Sequence, residues 1–197
     1  MFELLIFVAT IVLLFVVLGK LPLEEEVVTK LVAEAKQHDD EEGGPKKENA
    51  LTRADKYAGS GDYVKAEKIY LRLITKDPQD ASLYNKLALV YLSKKAFADA
   101  KHALDQALQL EPDNDTFYNN QGLTAYSQGE YDEAVEAYEK SIEINNKVAS
   151  RFMNLGLAYQ MLKQNRKATD AYEKALILEP QNEEYKRLLL ESEAKLK

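Results

Sequence analysis

The chain has 197 residues, a formal charge of −7, 46% hydrophobic and 30% charged residues, and no cysteine. The apolar share is enough for one core of stacked helices. The acidic balance argues against nucleic acid as a partner, because phosphate affinity needs clustered Lys and Arg. The missing cysteines rule out disulfides, thiolate metal sites and a cysteine nucleophile.

Residues 1–22 read as a membrane anchor. Leu4 to Gly19 run without a charge, interrupted only by Thr10. At 1.5 Å per residue this run covers roughly 24 Å, short of the ~30 Å hydrocarbon layer. Met1, Phe2, Leu21 and Leu23 extend it to a plausible span, with Lys20 reaching the interface. The competing reading is a cleaved signal peptide, for which the context around Val17 and Gly19 would serve. Glu3 and the lack of any Lys or Arg before the run speak against it. A core helix does not fit, because the run has no polar face. Lys20, Lys30 and Lys36 follow the span and no cation precedes it, so a single-pass topology with the body on the cytoplasmic side is expected.

Residues 23–38 carry Val27, Val28, Leu31, Val32 and Ala35 at helical spacing, an amphipathic helix with acidic residues in its first turn. It could continue the anchor, lie on the membrane surface or pack on a second copy; its acidic polar face disfavours the surface. Residues 39–46 combine a charge run with Gly43, Gly44 and Pro45 and read as a flexible acidic linker. Asp39, Asp40, Glu41 and Glu42 succeed one another in that linker and cannot converge on one metal ion.

From Lys47 to Asn182 a pattern recurs four times at 34 residues: 47–80, 81–114, 115–148 and 149–182. A fixed period of this length marks a helix–turn–helix repeat. Place 8 holds Ala54, Ala88, Gly122 and Gly156. Place 20 holds Ala66, Ala100, Ala134 and Ala168. Pro78, Pro112 and Pro180 fall in step, with Asn146 in the third unit. Places 4, 7, 8 and 11 form one stripe of a first helix. SGD at 60–62 and QGE at 128–130 separate the two helices of a pair, and the prolines stop the second helix. One hairpin cannot bury its apolar face alone, but four in series share a core. Residues 183–197 supply a capping helix, with Tyr185, Leu188 and Leu189 facing the last unit.

The units resemble tetratricopeptide repeats over 47–182. Unit two carries Tyr84, Leu87, Ala88, Tyr91, Ala100, Leu104, Ala107 and Pro112; unit four carries Phe152, Leu155, Gly156, Tyr159, Ala168, Tyr172, Ala175 and Pro180. Unit three departs at Gln121, Ala125 and Asn146. Unit one departs at Ala50 and Arg53, as suits a terminal repeat. The resemblance implies an all-α fold: a right-handed α-solenoid of four hairpins and a capping helix, preceded here by the transmembrane helix.

It also implies that places 2, 5, 6, 9, 12 and 13 of each unit line a concave groove. Unit two then offers Asn85, Lys86, Leu89 and Leu92. The third offers Asn119, Asn120, Leu123 and Tyr126; the fourth offers Met153, Asn154, Leu157 and Met161. The plainer alternative is that Leu89, Leu123 and Leu157 pack between helices. Asn119, Asn120 and Asn154 are poor helix formers in mid-helix, and their amides can pair with the backbone of an extended peptide. Repeats of the chaperone-cochaperone subclass clamp a terminal carboxylate with cations. The ninth places here are Asp55, Leu89, Leu123 and Leu157, with only Lys86 nearby, so such tails are not the expected ligand.

Catalysis and cofactors find no support. His38 precedes the linker, and His102, on a second helix, is expected to face solvent. No phosphate loop is present, and capping explains Asp113, Asn114 and Asp115 at a hairpin junction. The reading is a non-enzymatic, membrane-anchored adaptor for a protein or peptide. The alternatives are a self-assembling homo-oligomer and a regulatory subunit of a membrane enzyme.

Overall fold

Alanine and proline phasing, rather than strong helix propensity, sets the architecture. The computed structural model describes residues 47–196. The anchor at 1–22, the helix at 23–38 and the linker at 39–46 lie outside the described residues. Among the described residues there are nine helices and no strand. None of those helices is long and apolar enough to cross a membrane. The chain divides after Pro78 into two compact units.

The first unit holds α1 (Lys47–Gly59) and α2 (Tyr63–Lys76). Gly61 turns the chain at φ +82°, and Asp62 caps α2 by accepting from the Lys65 backbone N–H at 3.3 Å and from its Nζ at 2.7 Å. Ala54, Ala66, Tyr70 and Leu73 are buried. The Tyr70 hydroxyl donates to Asp55 at 2.6 Å.

The second unit holds α3 (Ala81–Ser93), α4 (Phe97–Leu110), α5 (Asp115–Gln128), α6 (Tyr131–Ile144), α7 (Ala149–Met161), α8 (Asn165–Leu178) and α9 (Glu183–Ala194). Asp80, Asn114 and Asn182 cap α3, α5 and α9 through their side-chain oxygens, satisfying N–H groups the helices leave open. Each pair packs on itself and on the next pair: α3 on α4, α4 on α5, and so on to α8 on α9. The first helices also touch one another, α3 with α5 and α5 with α7.

Two devices make the pairs close. Ala100, Ala134 and Ala168 are each 0% exposed, because only a methyl fits where two helices cross. At Gly122 even a methyl does not fit: a Cβ there would sit 2.6 Å from Cδ1 of Tyr138. Gly156 meets the Tyr172 ring in the same way. The second helices end two residues before Pro112, Asn146 and Pro180. In α9, Tyr185 and Leu188 are buried and Leu189 is half-buried against the core. Ser192, on the same face, meets the Thr169 hydroxyl at 2.9 Å, a contact that hydrophobic periodicity does not reveal.

Candidate functional site

The side chains expected to line the groove lie on α3, α5 and α7, and the structure joins their amides into one chain. Asn154 Nδ2 donates to Asn119 Oδ1 at 3.1 Å. Asn119 Nδ2 reaches Asn120 Oδ1 at 3.4 Å, and Asn120 Nδ2 donates to Asn85 Oδ1 at 2.7 Å. The sequence reading expects these amides to pair with the backbone of an extended peptide. They are engaged with one another, and Asn120 is buried. Asn119, Asn120 and Asn154 each retain one N–H beyond the ladder, Asn85 retains both, and all four keep acceptor capacity.

Around the ladder the apolar members divide. Tyr126, Met153 and Leu157 are half-buried and pack against the core of the third and fourth pairs. Tyr126 also meets the Tyr131 ring edge-on at 5.4 Å. Lys86, Leu92 and Leu123 are half-buried. Leu89 and Met161 are exposed, at 38% and 47%. The plainer alternative of packing between helices thus describes Leu157 better than Leu89.

A second polar cluster joins the third and fourth pairs, and sequence reasoning missed it. Asn114 is the cap of α5, with its Oδ1 accepting from Thr116 and Phe117, but Asp115 is not a capping group. Its carboxylate instead accepts from Arg151 Nη1 and from Asn145 Nδ2, the latter at 2.7 Å. Ser141 Oγ donates to its carbonyl at 2.7 Å. The Arg151 side chain is 8% exposed and that of Asp115 21%. Burial pushes the Asp115 carboxyl up, but the hydrogen bonds from Arg151 and Asn145 outweigh it and hold the group below its ordinary value. The partners are 30 and 36 residues away, so no local motif signals them.

On the other side of α5 the helices α4, α5 and α6 line an open cavity of 460 Å³, bordered among others by Lys101, Tyr118, Gln121, Ala125, Glu136 and Lys140. Advancing about 100° per residue, the ladder side chains of α5 and these lining side chains point in nearly opposite directions. Gln121 Nε2 donates to Asp105 at 3.3 Å. Burial raises the Asp105 carboxyl, with Lys101, His102 and Gln121 partly offsetting it. His102 is half-buried on α4, where solvent exposure had been expected. Among the described residues no cluster of three or more His, Cys, Asp or Glu side chains could hold a metal.

Comparison with known proteins agrees with this geometry. Residues 51–100 and 149–182 match the family described as tetratricopeptide repeat, and 122–163 match one described as TPR repeat. The class is thereby defined: a tetratricopeptide repeat protein. Among solved structures, a crystal structure of MamA is 22% identical and aligns over 73% of this chain and 94% of that one, with a TM-score of 0.60. PilF of Pseudomonas aeruginosa is 22% identical over 76% and 68%, with a TM-score of 0.70. The first TPR of Spaghetti (RPAP3), bound to an HSP90 peptide, is 20% identical over 61% and 95%, with a TM-score of 0.58. At these identities the likeness is one of fold. No curated protein matches the chain by sequence.

Proposed function

We propose that this chain is a membrane-tethered adaptor, with its repeats on the cytoplasmic side, that holds a peptide or helical segment of a protein partner against α3, α5 and α7. The observation that carries the reading is the continuous row of amides from Asn85 to Asn154, flanked by the exposed Leu89 and Met161. A row of linked amides holds its remaining donors and acceptors in fixed positions, and fixed polar groups beside apolar anchors recognise an extended or helical segment. The HSP90 peptide seen with the related Spaghetti repeat supports a peptide as the ligand class. The ninth places Asp55, Leu89, Leu123 and Leu157 direct the reading away from a terminal carboxylate. The tether rests on the apolar run from Leu4 to Gly19.

Photo-crosslinking in native membranes tests it. A photoreactive residue at 89 and another at 161 should capture the same protein, whereas one at Ile177, which is 74% exposed on α8, should not. Different proteins at 89 and 161, or equal capture at 177, would overturn the assignment of this face.

A further inference from the structure

Unit three breaks the repeat pattern at two places that line one cavity. At place 11, units one, two and four carry Tyr57, Tyr91 and Tyr159, but unit three carries Ala125. At place 7, Gln121 stands where units two and four have Leu87 and Leu155. Both Gln121 and Ala125 line the 460 Å³ cavity between α4, α5 and α6.

The next seam shows what fills this position elsewhere. The Tyr159 hydroxyl donates to Glu139 of α6, and Lys167 Nζ lies 5.1 Å over its ring. One period earlier, Asp105 takes the place of Glu139, Ala125 that of Tyr159 and Glu133 that of Lys167. The ring is absent, and the cation above it is replaced by a carboxylate. Asp105 accepts from the Gln121 amide at 3.3 Å and lies in the field of Lys101 and His102. Around the rim, Lys101 is paired with Glu133 at 2.9 Å and Lys140 with Glu143 at 3.1 Å. Glu136 makes no ion pair among the described residues, while Glu130 accepts an amide N–H from Gln128 at 2.8 Å and faces Lys101 electrostatically without a direct ion pair. The charge left uncompensated at the cavity is therefore negative.

We propose that this cavity is a second binding site, on the side of α5 away from the amide ladder, for a phenol ring carrying a nearby ammonium group. The ring takes the space that Tyr159 occupies at the next seam, and the ammonium meets the carboxylates of Glu136 and Glu130. Two sources share this chemistry: a free aromatic amine, and a tyrosine beside lysines on a protein segment. The volume lies within the range of small-molecule pockets, so either fits.

Calorimetric titration of the full-length chain decides it, with tyramine, 4-methylphenol, ethylamine and acetyl-Lys-Tyr-Lys-amide as probes. Tyramine should bind saturably, 4-methylphenol about fivefold more weakly for want of the ammonium, and ethylamine not at all. Ala125→Tyr should abolish tyramine binding and raise the Tm by filling the space. Glu136→Gln, at an exposed position that leaves the fold intact, should bring tyramine down to the level of 4-methylphenol. A tripeptide that binds tighter than tyramine assigns the site to a protein side chain, and the reverse order assigns it to a free amine. No saturable binding of tyramine or tripeptide up to about 10 mM would overturn the proposal. So would unchanged binding by Glu136→Gln, or by a cooperatively melting Ala125→Tyr.

Discussion

Gly122 and Gly156 illustrate what single residues decide. Glycine inside a helix costs about 1 kcal/mol relative to alanine. Here it is required, because the Tyr138 and Tyr172 rings lie directly on the helix backbone. Tyr172 is 0% exposed and has no room to retreat. Gly156→Ala therefore sets a propensity gain against overpacking, and overpacking wins. We expect a net loss of about 1–3 kcal/mol, read as a lower Tm in thermal unfolding. Unit two solves the same crossing with Ala88 and Leu104. Adding Tyr172→Leu to Gly156→Ala reproduces that pairing and should recover part of the loss, whereas a clash elsewhere would leave it uncorrected.

Between elements, the seam joining the third and fourth pairs depends on charge as well as on packing. Arg151, Asn145 and Ser141 converge on Asp115 from α7, from the end of α6 and from α6 itself. Truncating Arg151→Ala leaves a partly buried carboxylate without its cation and should cost about 3 kcal/mol, the low end for a broken buried pair, since Asp115 keeps some exposure. The pH dependence follows from the direction of the shift. The folded-state Asp115 value is depressed, so its contribution is complete above the unfolded carboxyl value near ~3.9 and is lost as pH falls through the folded value. Asp105 acts in the opposite sense: its value is raised, so its buried charge begins to cost stability as pH rises through the unfolded carboxyl value, costs it in full above the folded value, and acid relieves the cost. Melting curves between neutral and acid pH should therefore show a steeper acid loss in wild type than in Asp115→Asn. An equal slope in both would show that the seam does not titrate.

For the molecule as a whole, the 34-residue phase was legible in the sequence because small residues, prolines and aromatics recur at fixed places. The helix pairs, their turns and the buried alanines all follow from that phase. The amide ladder was legible in its members but not in its bonding: spacing shows that Asn119 and Asn154 share a face, whereas their linkage depends on how closely α3, α5 and α7 approach. The Asp115 cluster and the cavity were hidden for a different reason. Each is made by residues from three elements, and the departures at Gln121 and Ala125 acquire meaning only once Asp105 and the cavity stand beside them. The proposed tether is a property of the whole molecule too. The full-length chain should stay with membranes through carbonate extraction, and deletion of residues 1–22 should release it. A full-length chain that carbonate releases would sink the anchor.

All four hairpins turn on a left-handed residue one period apart: Gly61, Lys95, Gly129 and Lys163, with φ of 82°, 58°, 89° and 59°. Two of these corners carry lysine in a conformation that glycine adopts without strain. The lysine N–H groups are tied back to Leu92 and Gln160 at 2.9 and 3.0 Å. A protease that cuts after lysine must draw its substrate out straight, and neither corner permits that while the hairpin is closed. Nicking after Lys95 or Lys163 thus becomes a clock for the opening of the second or the fourth hairpin, built into the chain by the shape of its own bends.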